Sequence, residues 1–89
     1  MSDGLKAVWG VVEEAFYPTE VSERWDSEID ATVLSFSVEG RHFAVRVSRE
    51  FDTDWASGQV EVNLAELPDR LRNSKDGRAL VRRSGIFSN

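Results

Sequence analysis

The stretch that most constrains the fold is residues 31–51, in which apolar and polar side chains alternate on both sides of Glu39-Gly40-Arg41. Alternation with a period of two residues is typical of a strand that buries one face and exposes the other. Two such runs joined by a short turn predict an antiparallel hairpin. We therefore expect a sheet whose apolar face is covered by another layer of structure.

The turn of this hairpin can be placed in two ways. If Glu39-Gly40 is the turn, Phe36 opposes Phe43, whereas a turn at Gly40-Arg41 would set Val38 opposite Phe43. Both registers keep the apolar side chains on one face, because they differ by two residues. A glycine in the first turn position suits a type II′ turn, so the sequence favours Gly40-Arg41.

Two further segments show a regular pattern. Residues 3–16 place apolar side chains at helical spacing and predict an amphipathic helix, capped by Ser2 or Asp3 and ended by Pro18. Residues 59–64 alternate as the hairpin does and predict a third strand.

The remaining segments carry weaker patterns. Residues 20–26 are a candidate fourth strand at the sheet edge, where their acids would resist pairing with another sheet. Residues 52–58 have a turn-rich composition, and residues 67–71 predict the start of a C-terminal helix. Whether residues 74–84 form a second helix stays open, because Asp76-Gly77 is also a turn signal.

Together these elements predict one α+β domain over residues 1–89. An N-terminal helix precedes a three-stranded antiparallel meander, to which a fourth strand can be added, and one or two C-terminal helices pack on the apolar sheet face. The predicted core consists of Leu5, Val8, Trp9, Val12, Phe16, Leu34, Phe36, Val38, Phe43, Val45, Val47, Val60, Val62, Leu64, Leu67 and Leu71.

The composition excludes several classes of protein. The chain has 89 residues and no cysteine, so it has neither disulfides nor thiolate metal sites. Small secreted domains usually carry disulfides, and the N-terminus, whose one cation is Lys6, does not resemble a signal peptide. No apolar run approaches the about 20 residues that cross a bilayer. We therefore expect a cytoplasmic protein with no membrane association.

Charge is distributed unevenly along the chain. Residues 1–66 hold 14 Asp/Glu and 5 Lys/Arg, whereas residues 67–89 hold 2 and 6. An acidic body and a basic tail can attract each other or remain separately solvated. If residues 70–83 are helical, Arg78 and Arg82 lie on one face, where they could contact phosphates.

Few residues suggest catalysis. His42, the single histidine, would share the solvated face of the hairpin with Ser35, Ser37 and Arg46, so a contact between His42 and either serine is geometrically feasible. The sequence contains no nucleophile-elbow, zinc-protease or phosphate-loop motif, and Asp52 and Asp54 do not match a calcium-binding loop. We predict a non-enzymatic protein that holds no cofactor and no metal.

Two tryptophans outside the predicted helix point to binding. Tryptophan is enriched at the energetic centres of interfaces, so Trp25 and Trp55 could each anchor a partner, or could instead cover the small core. The leading hypothesis is a protein-interaction module, either an adaptor, a regulator or a homodimer formed through free sheet edges. Its candidate partner-binding residues are Trp25, Trp55, Arg78 and Arg82.

Two alternatives involve nucleic acid. The basic segment 70–83 could associate with nucleic acid directly. Conversely, the acids of residues 20–30 and 50–54 could mimic phosphates and occupy a nucleic-acid-binding protein, provided that they are ordered on one surface.

Overall fold

The computed structural model describes residues 2–88, and its first element is the amphipathic helix α1, Asp3–Phe16. The hydroxyl oxygen of Ser2 accepts a hydrogen bond from the backbone N–H of Leu5 (3.3 Å), which confirms a Ser2 cap. Tyr17 adopts a left-handed conformation (φ 49°) and ends the helix immediately before Pro18. The apolar stripe of α1 is buried at Leu5, Val8, Val12 and Phe16.

A three-stranded antiparallel meander follows, formed by β1 (Thr19–Asp26), β2 (Ala31–Val38) and β3 (Arg41–Ser48). The predicted hairpin and the candidate edge strand are therefore both present. Phe36 pairs with Phe43, so Glu39-Gly40 is the turn and the preference for Gly40-Arg41 was wrong. Both turn residues have positive φ, 50° and 82°, as in a type I′ turn, whose twist matches that of the flanking strands.

The chain then crosses the apolar face of the sheet through α2 (Arg49–Trp55), a short 3-10 helix (Leu64–Glu66) and α3 (Leu67–Asn73). The predicted helix from residue 67 is confirmed. The turn-rich reading of residues 52–58 missed α2, which Ser48 caps by accepting a hydrogen bond from the N–H of Phe51 (3.2 Å).

The third strand predicted at residues 59–64 is wrong. Residues 59–63 have no regular secondary structure, although Val60 and Val62 are half-buried against the core. Alternation reports which side chains are buried, but a strand also needs a neighbour to pair with its backbone. Apart from bonds in the turn that closes α2 and in the following 3-10 helix, this segment has one backbone hydrogen bond among the described residues, from the N–H of Glu61 to the carbonyl of Arg83 (3.0 Å).

The last two elements are strands, β4 (Arg78–Arg82) and β5 (Gly85–Ser88), so a second C-terminal helix was also a wrong expectation. β4 runs parallel to β3 and antiparallel to β5. Within residues 2–88 the sheet is therefore mixed and five-stranded, in the order β1-β2-β3-β4-β5, rather than an antiparallel sheet of three or four strands. β4 is parallel to β3 because residues 49–77 carry the chain back over the sheet before β4 begins.

The core lies between the sheet and the helical layer. Most predicted core residues are buried, but Trp9, Val38, Val60 and Val62 are only partly so. The prediction omitted buried side chains from the unpredicted elements, which are Phe51, Ala79, Val81 and Ile86. None of the helices within residues 2–88 has the length and apolar composition of a membrane-spanning helix.

Candidate functional site: the open face of the sheet

The described helices all cover the same face of the sheet, and none of them covers the other face, although Ala31, Val33 and Ser37 on that second face are buried. We call that second surface the open face. Residues paired across neighbouring strands share a face, so the strand registers assign its members. It is formed by Ser22, Arg24, Asp26, Ala31, Val33, Ser35, Ser37, His42, Ala44, Arg46, Ser48, Arg78, Leu80, Arg82 and Phe87.

One row of side chains crosses the whole open face. Arg24 pairs with Val33, Val33 with Arg46, Arg46 with Leu80, and Leu80 with Phe87. Cationic and apolar side chains therefore alternate from β1 to β4, and on β5 the row ends in a second apolar residue, Phe87, which is 52% exposed. We call this set the arginine row.

A trough runs beside the arginine row. The next residues in register are Ser22, Ser35, Ala44 and Arg78, and the first three have small side chains. Ser35 and Ala44 form a floor between two depressions of about 350 Å³ each, and Arg78 lines both of them. The trough is therefore open at the sheet surface and has a cation on its wall.

Arg46 is the most unusual member of the row. Its Nε atom is buried and has no hydrogen-bond partner within residues 2–88. Buried polar atoms in native proteins are nearly always paired, so the Nε–H of Arg46 is a donor that a bound group could satisfy. Arg46 lines two of the depressions on this face, including one of those beside Ser35.

The other cations of the open face differ in how far they are neutralised. Arg24 forms an ion pair with Asp26 (3.5 Å), whereas Arg46, Arg78 and Arg82 form none with a carboxylate of residues 2–88. The three unpaired guanidinium groups can therefore interact with an external anion without first breaking an internal ion pair.

A tight turn positions Arg78 at the start of β4. The hydroxyl of Ser74 donates to the Asp76 carboxylate (2.9 Å), and its oxygen accepts from the backbone N–H of Arg78 (3.2 Å). The hydrogen bond from Ser74 and the positive charge of Arg78 lower the pKa of Asp76. Asp76 is thus ionised at neutral pH and moderates the charge at this end of the trough.

The Ser–His contact considered from the sequence exists, and it involves Ser37. Its hydroxyl is hydrogen bonded to Nδ1 of His42 at 2.8 Å, and the Ser37 residue is only 4% exposed. The contact satisfies a buried hydroxyl beside the trough. Within residues 2–88, no group of three His, Asp or Glu side chains is arranged to hold a metal ion.

The candidate partner-binding residues lie in three places. Arg78 and Arg82 are both on the open face, because residues four apart in a strand point the same way, and not because they form a helical stripe. Trp25 is 52% exposed on the edge strand β1, paired with Thr32 on the helical side. Trp55 is half-buried, with its ring 5.5 Å from that of Phe51.

The basic segment 70–83 does not form one surface. Arg70 and Arg72 lie on α3 in the helical layer, where Arg72 stacks on the ring of Phe16 (4.8 Å) and pairs with Asp69. The two acidic segments are also on separate elements: residues 20–30 form β1 and its following turn, and α2 carries Glu50 and Asp54, which bind Arg83.

Sequence reasoning did not single out Arg24, Arg46, Leu80 and Phe87 as site residues. Arg46 was expected on the solvated face of the hairpin, which is correct, but its neighbours come from strands that the sequence did not define. Comparisons of the chain with protein-family models, with curated proteins and with solved structures find no match.

Proposed function

We propose that the protein is a protein-interaction module that binds its partner on the open face of the sheet. The observation that carries this proposal is the arginine row, in which cationic and apolar side chains alternate from β1 to β4 and the exposed Phe87 follows on β5. Arginine and aromatic residues are enriched at protein interfaces, where each supplies a large contact area. A solvated sheet face needs no such alternation.

The partner is a different protein rather than a second copy. Stacking two open faces about a two-fold axis would bring the unpaired cations Arg46, Arg78 and Arg82 of one copy towards those of the other. Pairing through the free edge of β1 would bring together the acids Glu20 and Glu23 of both copies, and like charges opposite each other destabilise a sheet.

Nucleic-acid association is a second candidate, and Phe87 is the feature that favours it. An exposed aromatic ring on a sheet surface can stack on a base, and arginines beside it can contact phosphates. The net charge of −5 and the separation of Arg70 and Arg72 from the open face support the protein partner instead.

Photo-crosslinking in the protein's own cells tests the proposed function. A photoreactive amino acid replaces Phe87 on the open face in one variant and Arg70 on α3 in the control. We expect a protein partner to be crosslinked from position 87 and not from position 70. The crosslinked protein is then purified and its affinity measured with Phe87→Ser and Arg70→Gln, of which only the first should weaken binding.

Two results would contradict the proposal. Equal crosslinking from positions 87 and 70 would show that the open face is not a preferred contact surface. Crosslinks from position 87 to a second copy of this chain would show that the open face is a homodimer interface.

A further inference from the structure

We infer that the open face recognises an acidic segment of the partner, with a carboxylate held by Arg46 and Arg78 and an apolar side chain resting on Leu80 and Phe87. This inference rests on the proposed function and specifies the chemistry of the partner. It is carried by the trough, by the unpaired guanidinium groups and by the position of the apolar pair beside them.

The width of the open face along the arginine row suits an extended segment. Neighbouring strands are about 4.8 Å apart, so the arginine row spans about 19 Å from β1 to β5. An extended chain rises about 3.3 Å per residue, so about six residues cover this distance. The small side chains of Ser35 and Ala44 leave room for the segment to lie close to the sheet.

Arg46 and Arg78 provide the anion contacts. The two residues line one shared depression of about 350 Å³ and a second of about 230 Å³ towards β5. Arginine binds carboxylates with two parallel hydrogen bonds, and such bonds are stronger where water is excluded. The buried Nε of Arg46 shows that part of this guanidinium is already removed from water before a ligand binds.

Apolar contacts lie on the β5 side of these cations. Leu80 is half-buried and pairs with the exposed ring of Phe87, and both line the depression of about 230 Å³ together with Arg46. An acidic side chain at the arginines therefore places a neighbouring apolar side chain of the segment over Leu80 and Phe87.

The net negative charge of the chain does not oppose this arrangement at short range. The acids of α2, including Glu50 and Asp54, lie in the helical layer on the opposite side of the sheet. Charges interact over a Debye length of about 8 Å at physiological ionic strength, so those acids are largely screened from the open face. Three acids line the depressions of the open face, namely Glu20, Asp26 and Asp76. They moderate its positive charge, but none of them forms an ion pair with Arg46 or Arg78.

Binding of a defined peptide to the intact protein tests the inference. The probe is an acetylated, amidated octapeptide of sequence EELEELEE, and the comparison peptide has glutamine in place of every glutamate. We expect the acidic peptide to bind and to shift the NMR signal of the Arg46 Nε–H, with about tenfold weaker binding for Arg46→Gln and for Arg78→Gln. The matched control, Arg70→Gln, removes one positive charge from α3 and should leave the affinity unchanged.

A conservative variant separates the effect of the charge of Arg46 on binding from the effect of its geometry. Arg46→Lys keeps the charge but loses the fork that binds a carboxylate through two bonds, so its affinity should lie between those of the wild type and Arg46→Gln. Backbone NMR spectra of each variant show whether it is folded. If the Arg46 variants are unfolded, the affinities of Arg78→Gln and Arg70→Gln still test the inference.

Four results would overturn the inference. Failure of the acidic peptide to bind, or equal binding of the glutamine peptide, would show that the face does not select acids. Equal weakening by Arg70→Gln would show that only net charge matters, and tighter binding of a twelve-nucleotide oligothymidylate through Arg46 and Arg78 would identify nucleic acid as the ligand. If the acidic peptide fails to bind, or binds no better than the glutamine peptide, a protein crosslinked from position 87 would still support the proposed interaction module. The inference about acidic segments can therefore be wrong while the proposed function is right.

Discussion

At the scale of single residues, the entry into β4 depends on Gly77. Its φ is 69°, and a Cβ atom added there would lie 2.7 Å from the carbonyl oxygen of His42. Its own carbonyl accepts a hydrogen bond from the N–H of Ala44 (2.9 Å). Gly77 therefore allows the turn to lie directly against β3, and this placement sets the register of Arg78 beside the trough.

We expect Gly77→Ala to lower the free energy of unfolding by about 2–3 kcal/mol, because it combines left-handed strain with a backbone clash. Urea denaturation measures the change. Gly10→Ala is the matched control: Gly10 lies within α1 and has no atom within 4 Å of an added Cβ, so the substitution should stabilise the protein by about 1 kcal/mol. Equal effects of both substitutions would contradict this account of the turn.

A second residue-scale prediction concerns the titration of Asp76. Because the hydrogen bond from Ser74 lowers the pKa of Asp76, Ser74→Ala should raise that pKa towards the usual 3.8. A carboxyl whose pKa is lowered by folding contributes stability above its unfolded pKa and loses it as the pH falls through its folded pKa. The wild-type protein should therefore lose more stability than Ser74→Ala between pH 5 and the acid limit.

An NMR titration of the Asp76 side-chain carboxyl measures the pKa shift, and urea denaturation at a series of pH values measures the stability. Asp76→Asn, which cannot ionise, should also lack this part of the pH dependence. An unchanged Asp76 pKa in Ser74→Ala would show that the backbone N–H groups of Asp76 and Arg78 and the charge of Arg78, rather than Ser74, lower it.

At the scale of secondary-structure elements, the β2–β3 turn is under local strain. Glu39 occupies the left-handed region (φ 50°), which costs about 1–2 kcal/mol for most residues other than glycine and asparagine. Glu39→Asn creates the Asn-Gly pair that type I′ turns favour. We expect a gain of about 0.5–1 kcal/mol in unfolding free energy, measured by thermal or urea denaturation. Glu39→Ala should bring no such gain, and equal stabilisation by both would refute a conformational cause.

The long periodic elements could be predicted from the sequence, and the short or non-locally paired ones could not. α1 and the β2–β3 hairpin each bury a regular set of side chains that is visible within one window. β4 has five residues, of which Arg78 and Arg82 are charged, and its partner β3 is separated from it by residues 49–77. No local pattern reports a parallel pairing over such a distance.

Only part of the candidate site could be predicted from the sequence, for the same reason. Arg78 and Arg82 were selected as members of a helical stripe, but in β4 their spacing places them together on the open face. Arg24, Arg46 and Phe87 join them only through the strand order, which decides which segments become neighbours. The sequence shows the alternation within each strand, whereas the arginine row runs across the strands.

At the scale of the whole molecule, the order of the strands sets how firmly each is held. β3 lies between β2 and β4 and buries Phe43, Val45 and Val47, whereas nearly every side chain of the edge strand β1 is exposed. Amide protons in elements with few buried contacts exchange through low-energy local openings. We expect native-state hydrogen exchange to be fastest for β1 among the strands and slowest for β3.

Exchange measured by NMR at several denaturant concentrations tests this order. If β1 amides exchanged as slowly as those of β3, the edge strand would open only with global unfolding, and the arginine row would be rigid along its whole length. Faster exchange at β1 than at β3 would place Arg24 on the mobile end of the row.

The parallel pairing of β4 with β3 also has a consequence for the chain while it folds. The hairpin pairs residues that are close in sequence and can form early, whereas β4 joins β3 only after residues 49–77 have crossed the sheet, and until then the outer edge of β3 has no strand beside it. An unpaired apolar edge is a template on which other chains can assemble. A released chain is thus most exposed to aggregation until residues 49–77 have packed on the sheet and β4 has docked on β3, and the speed of that step bears on how much protein reaches its native state.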